Sequence, residues 1–204
     1  MHWLICKERT EIILFLFIWA NAFEERKEII FLSSNEDNWM IRDIMEIRTA
    51  TIADLAQIAA VEAECFPAAE AATKEEFAER IKYYGNHFWL MFEDEKLIAF
   101  VDGFVTDKPD LTDEMYERAE MHDENGAWQM IFGVNTIPAY RKHGYAGQLL
   151  QCAIEDARKQ GRKGLVLTCK EKLIAYYAKF GFVNEGISES VHGKVIWYQM
   201  RYKF

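Results

Sequence analysis

The hexapeptide Arg141-Lys142-His143-Gly144-Tyr145-Ala146 gathers three side chains of positive or donor character ahead of a glycine, in a chain whose formal charge is −9. It lies between a largely apolar run, residues 127–134, and a stretch in which Leu149, Leu150, Ala153, Ile154 and Ala157 keep helical spacing. A loop that ends in a helix start presents backbone N–H groups without intrahelical acceptors, together with the positive end of the helix dipole. Such a junction binds a pyrophosphate through its backbone. Gly144 lets the main chain come close, and Ala146 and Gly147 keep the first turn free of bulk. Three other groups have two readings each. Tyr176 and Tyr177 are aromatic packing ahead of Phe180, or supply a phenol able to donate a proton. His192, in a polar segment, is a solvated turn residue or a base. The acidic residues from Asp107 to Glu124 are a solvated helix face, or a loop that draws a protonated amine over a pocket.

These residues need a scaffold, and the pattern supplies one. Residues 46–48 alternate as a short strand. Thr49 or Thr51 caps a helix with Asp54 in its first turn and Leu55, Ile58, Ala59 and Glu62 on one face, ending at Cys65-Phe66-Pro67. A second helix covers 74–84. Residues 87–92 and 96–105 pair as a hairpin around Glu93-Asp94-Glu95. After the acidic excursion of 106–126 come the central strand of 127–134 and a helix of 144–160 closed by Gly161. The strand 165–169, a short helix of 173–180 stopped by Gly181, and two strands at 182–183 and 195–200 around His192-Gly193 complete the chain. The order predicts an α/β (α+β) domain, a mixed sheet with helices on both faces.

With these elements in place, residues 45–204 resemble the GNAT superfamily of acetyltransferases. Arg141 to Ala146 is similar to that family's R/Q-x-x-G-x-G/A signature. Glu64-Cys65-Phe66, Leu97-Ile98-Ala99-Phe100-Val101-Asp102-Gly103, Leu167-Thr168-Cys169-Lys170-Glu171 and Tyr176-Tyr177-Ala178-Lys179-Phe180-Gly181-Phe182 look most like the arylalkylamine N-acetyltransferase branch and its bacterial relatives. The resemblance implies a GNAT fold whose fourth and fifth strands splay apart, with acetyl-CoA as co-substrate. Phe132, Gly133, Val134, Arg141, Lys142, His143, Gly144, Tyr145, Ala146, Gly147 and Thr168 would hold it. Pantetheine would lie between the splayed strands, with Tyr177 beside the sulfur as general acid. Acetyl would pass to a primary amine, an (aryl)alkylamine or polyamine, by direct attack in a ternary complex.

The branch's strand histidines are missing: Trp128 and Met130, or Met130 and Phe132, stand at their places. Water, Glu64, His122 or His192 then serves as base, His192 first. Phe66, Trp128 and Met130 are the expected acceptor contacts, with Trp89 as a further aromatic that could hold a cation or an aryl ring. A covalent route through Cys65 or Cys169 is disfavoured, because Cys169 sits in a buried strand and Cys65 has no His nearby in sequence. Two alternatives remain: an acyl-CoA-binding module without chemistry, and an enzyme acting on a protein N-terminus or lysine through an open groove.

The acidic balance disfavours a nucleic-acid partner. Cys6, Cys65, Cys152 and Cys169 form no C-x-x-C pair and have no His at zinc-ligand spacing, so no metal and no disulfide framework are expected. A cytoplasmic monomer or homodimer is the simplest reading. Residues 1–44 are an extension whose apolar run, 12–20, is a signal or anchor, a packing element, or lies ahead of a natural start at Met45. The segment 33–38 reads as a hinge before the catalytic domain of 45–204.

Overall fold

The computed structural model describes residues 3–8, 11–18, 27–35 and 38–204, with side chains from Met45 onward. Four strands come first: β1 (Trp3–Glu8), β2 (Glu11–Ile18), β3 (Lys27–Asn35) and β4 (Asn38–Arg48). Of the expected hinge, 33–38, residues 33–35 and 38 are paired in the antiparallel β3–β4 ladder, and 36 and 37 lie outside the described residues. The apolar run supplies β2. What its side chains pack against, and residues 19 and 20, lie outside the description. Among the described residues no helix is long and apolar enough to cross a membrane.

Helix α1 (Leu55–Cys65) follows a 3-10 turn in which Thr51 and Asp54 form a reciprocal cap. It ends where Phe66 turns extended ahead of Pro67, and it buries Ile58, Val61 and Glu62. Helix α2 (Lys74–Tyr84) is capped by Thr73 and Glu76 and buries Phe77, Arg80, Ile81 and Tyr84. Strands β5 (Phe88–Glu93) and β6 (Lys96–Asp102) are the expected hairpin, but β6 stops at Asp102. The chain bends through Gly103 and Phe104 into β7 (Val105–Thr106), which belongs to a second sheet. A side chain at Gly103 would place its Cβ 1.8 Å from the Met130 carbonyl oxygen, so only glycine permits this crossing. The acidic excursion contains α3 (Glu114–Glu117) and buries Leu111, Met115 and Ala119.

The single central strand expected over 127–134 is two strands, β8 (Trp128–Ile131) and β9 (Gly133–Thr136), broken at Phe132. β8 pairs parallel with β10 (Gly164–Cys169), while β9 crosses to β6, with Gly133 opposite Asp102. The Phe132 N–H donates to the Asp102 carbonyl at 2.8 Å, and this bond holds the break. Helix α4 (Tyr145–Lys159) packs against β5, β6, β9 and β10. It leads to β10, α5 (Ile174–Ala178), β11 (Val183–Ile187) and β12 (Tyr198–Lys203). The last strand therefore begins three residues later than the apolar run at 195–200 suggests. Val195 and Ile196 remain in the loop, with Ile196 exposed.

Two sheets result, in the orders β1-β2-β3-β4-β5-β6-β9 and β11-β12-β10-β8-β7. β10 keeps its pairing to β8 only as far as Leu167. Beyond it, Thr168 and Cys169 part from β9, and the expected splay opens there as a cavity.

Candidate active site

A cavity of about 1140 Å³ runs from the start of α4, through the gap between β9 and β10, to the loops after α1 and β11. At one end Gly144 takes φ +85 as the N-cap of α4, and a Cβ built there meets nothing within 4 Å. Its space is open to the cavity, and Arg141, Lys142, Tyr145 and Ala146 share that wall. The first-turn amides of α4 lack intrahelical acceptors. A pyrophosphate fits this cradle by chemistry and by room. His143 and Gly147 stand off the wall. The His143 ring donates from Nδ1 to the Tyr140 carbonyl at 3.3 Å and stacks on Tyr145. A Cβ on Gly147 would come within 2.8 Å of the Phe180 ring, so that glycine serves the packing of α4 against the segment after α5.

In the gap, Phe132, Gly133, Val134 and Thr168 line the cavity. Tyr177 reaches it from α5, only 6% exposed and packed edge-on against Tyr176 and Phe182. Burial pushes its phenol well above the ordinary range, with Cys169, Tyr176 and Tyr116 adding to the effect. A phenol so placed stays protonated at neutral pH and keeps a proton to give. Tyr116, which the sequence reading passed over among the acidic residues around it, is a second buried phenol here. Its hydroxyl lies 3.2 Å from Thr168 Oγ1, and burial pushes it up to about 12.

At the far end, His192 lines the cavity and stacks on Tyr116 at 5.5 Å. Its Nε2 donates to the Glu70 carbonyl at 3.1 Å, which leaves Nδ1 as the acceptor of the neutral ring. Phe66 also lines this end. Trp128 and Met130 do not. Met130 is fully buried in the core, and Trp128 lies under the Arg201 guanidinium at 4.7 Å. The break at Phe132 resets strand parity, and both side chains point away from the gap. Glu64 is exposed and off the wall. His122 is turned toward Tyr84, His87 and Phe104. Neither of these two fits as base. Trp89 is core, its ring N–H donating to Asp156 at 2.8 Å. Half of the eight acidic residues of the excursion are engaged in ion pairs: Asp110 with Arg201, Glu114 and Glu120 with Arg118, and Glu124 with Arg162. Asp113 and Glu117 face the cavity.

The residue the sequence reading missed is Glu62. It lines the cavity yet is only 6% exposed. Asn135 Nδ2 donates to its Oε2 at 2.6 Å, and the Ala72 N–H donates to its Oε1 at 3.1 Å. Burial and the charge of Asp102 raise its carboxyl to about 7, against the lowering pull of those two donors and Arg80. A carboxyl that titrates near neutrality inside a cavity suits general-base work. The clue in the sequence was an acidic residue on the apolar stripe of α1.

One group of described residues brings metal-ligand types together. His87, His122 and Glu124 hold their donor atoms within 4.8 Å, away from this cavity. The Val105 N–H donates to His122 Nδ1, so Nε2 carries the proton of the neutral ring and has no lone pair for a cation. Glu124 accepts from His87 and Arg162 as well, making a hydrogen-bonded knot. Cys65 and Cys169 are free thiols.

The acetyltransferase (GNAT) family model matches residues 55–182, more than half of the chain. No curated protein matches. Solved structures share the fold. The loading GNATL domain of CurA from Lyngbya majuscula superimposes with a TM-score of 0.68 at 16% identity, over 78% of this chain and 97% of that one. The GphF GNAT-like decarboxylase, in complex with isobutyryl-CoA, gives 0.67 at 21% identity over 77% and 98%. Arabidopsis thaliana Naa50, in complex with the bisubstrate analogue CoA-Ac-MVNAL, gives 0.62 at 17% identity over 78% and 99%.

Proposed function

The chain belongs to the acetyltransferase (GNAT) family, and we propose that it moves acetyl from acetyl-CoA to a small primary amine by direct attack in a ternary complex. In this reading Glu62 is the general base and Tyr177 the general acid. The observation that carries it is the buried, cavity-facing carboxylate of Glu62, clamped by Asn135 and the Ala72 amide. The motifs resemble the arylalkylamine branch, whose bases are strand histidines. Here no histidine stands at the corresponding positions, and Glu62 enters the cavity from α1. We assign the catalytic unit to 45–204.

Gly144 and the first turn of α4 would hold the pyrophosphate, and the edge of β9 with Thr168 would hold the pantetheine. Acetyl-CoA brings the thioester. Glu62 accepts the proton that an incoming ammonium must lose before its nitrogen can bond to the acetyl carbon. As the carbon–sulfur bond breaks, Tyr177 gives its proton at the sulfur, and the phenolate so left recovers a proton from the attacking nitrogen, which must shed one more to become the amide. His192 and Phe66 flank the acceptor.

A small acceptor is favoured by the Glu70 bridge. Its carboxylate pairs with Lys170 at 2.8 Å and its carbonyl accepts from His192, tying the loop after α1 to the end of β10 and to the loop after β11. That tie narrows the groove a peptide would need. Asp113 and Glu117 add negative charge, which suits an ammonium and opposes the carboxylate of a decarboxylase substrate.

The test is thiol release from acetyl-CoA against a panel of arylalkylamines, polyamines, amino acids and short peptides, with acetyl-CoA binding measured in parallel. Turnover with a small amine is the expected result. Binding without turnover across the panel supports a module without chemistry, turnover with peptides alone supports a protein acceptor, and no binding refutes the reading.

A further inference from the structure

Beneath Glu62 lies a charged group with no place in the chemistry so far. Asp102, at the end of β6, is 1% exposed, and Arg80 on α2 is nearly as buried. Arg80 NH1 donates to Asp102 Oδ2 at 3.2 Å, and its NH2 donates to the Tyr116 carbonyl at 3.0 Å. Phe77 and Phe132 lie against the guanidinium at 5.3 and 5.4 Å. Two buried charges in the wall of a cavity are costly to keep unless they serve something.

The register of the sheet says what. Asp102 stands opposite Gly133 in the β6–β9 ladder. Asn135 is two residues further along β9, on the same face, about 7 Å away by strand rise. Asn135 is the residue that clamps Glu62. Asp102 and Glu62 therefore share the same side of the sheet and line one cavity, with Arg80 beside them. When both carboxylates are ionised, a single guanidinium faces two negative charges.

Resting on the assignment of Glu62 as base, we propose that Asp102, fixed by Arg80, is a positioning residue for the transfer: its charge keeps Glu62 a working proton acceptor at neutral pH instead of a permanently ionised counter-ion. Asp102 touches neither amine nor thioester. It acts through space, and the break at Phe132 and Gly103 puts it there. Besides Arg80, the other charged or titratable groups around this cluster are Glu76 and Tyr84 on α2, which face Arg80, and Cys65 on α1, which faces Glu62. Arg141 lies beyond Cys65, and Asn135 on β9 is neutral.

The experiment is the profile of kcat against pH for four variants with a responsive amine. Glu62→Gln should abolish the ascending limb. Asp102→Asn should move that limb to lower pH by about one unit, the usual size for removing one neighbouring charge from a partly buried site. Asp102→Glu, which keeps the charge, should restore it to within a few tenths of a unit. Arg80→Met/Asp102→Asn removes the pair without stranding a buried cation, and keeps the test alive if Asp102→Asn does not fold. Its limb should also move down, by less. If Glu62→Gln removes the limb while the Asp102 variants that fold lose rate with the limb unmoved, Asp102 is merely structural and the inference fails, the base assignment standing. If Glu62→Gln retains the limb, Glu62 is not the base and both fall.

Discussion

Asn135 Nδ2 donates to Glu62 Oε2 at 2.6 Å, joining the strand that leaves the second sheet to the helix that carries the one buried carboxylate on the apolar stripe of α1. The clamp fixes a flexible side chain in a single orientation toward the cavity. Glu62→Gln should then lower kcat by about 10²- to 10⁴-fold, the usual worth of a general base. Acetyl-CoA affinity should stay within twofold. Steady-state kinetics beside calorimetric titration of acetyl-CoA measures both.

The same substitution should stabilise the fold at alkaline pH. Glu62 titrates at about 7 in the folded protein, against an ordinary value of 4.5. Between these values the native state holds a proton that the unfolded chain has released. The contribution is thus fully present below pH 4.5 and is lost as pH rises to 7. Glu62→Gln removes the loss, and stability at pH 8 should rise by up to about 3 kcal/mol, with little gain at pH 4. Urea unfolding at the two pH values reads the difference, and an equal effect at both would contradict it.

Tyr177→Phe keeps the ring packed against Tyr176 and Phe182 and deletes only the hydroxyl. A proton donor acts in the transition state, so kcat should fall by roughly 10- to 100-fold with acetyl-CoA binding unchanged. Normal turnover would move the acid role elsewhere, Tyr116 being the other buried phenol at the gap.

Gly144 separates backbone strain from site occupancy. Gly144→Ala meets no atom within 4 Å but must adopt φ +85, at a cost of about 1 kcal/mol in stability and a modest loss of acetyl-CoA affinity. Gly144→Glu adds bulk and a negative charge at the phosphate cradle and should abolish binding. Equal affinity in both variants would place the pyrophosphate elsewhere.

Gly103→Ala should be among the most damaging single methyl groups in the domain. Its Cβ would lie 1.8 Å from the Met130 carbonyl oxygen, backbone that cannot step aside. A loss above about 3 kcal/mol, or no recoverable folded protein, is expected from thermal unfolding.

Much of this was written locally. The helices α1, α2, α4 and α5 are legible because their apolar residues recur at helical spacing and their ends carry Thr51, Thr73, Pro67 and Gly181. Gly144 is legible because a glycine between a strand and a helix is rarely accidental. The breaks at Gly103 and Phe132 are not legible, since they are settled by which distant strand each half joins, and nothing local separates one apolar strand from two. The wrong facing of Trp128 and Met130 follows from that single unseen break. Glu62 hid inside a helical pattern whose periodicity counted it as face rather than function. Tyr116 hid among charges that drew the reading to themselves.

The divided strand has one more effect. β9 is the last strand of its sheet, and β10 runs past its partner after Leu167, so two unpaired edges face each other inside the protein. On an outer surface such edges recruit other chains and seed aggregates. Here α1, α4 and α5 wall them in, and Cys65, Ala146 and Tyr176 stand around the opening. What answers their free amides and carbonyls must therefore come from within the cavity and not from a neighbouring sheet. The fold thus turns a hazard of exposed sheets inward, where it becomes a row of backbone groups reserved for the cavity.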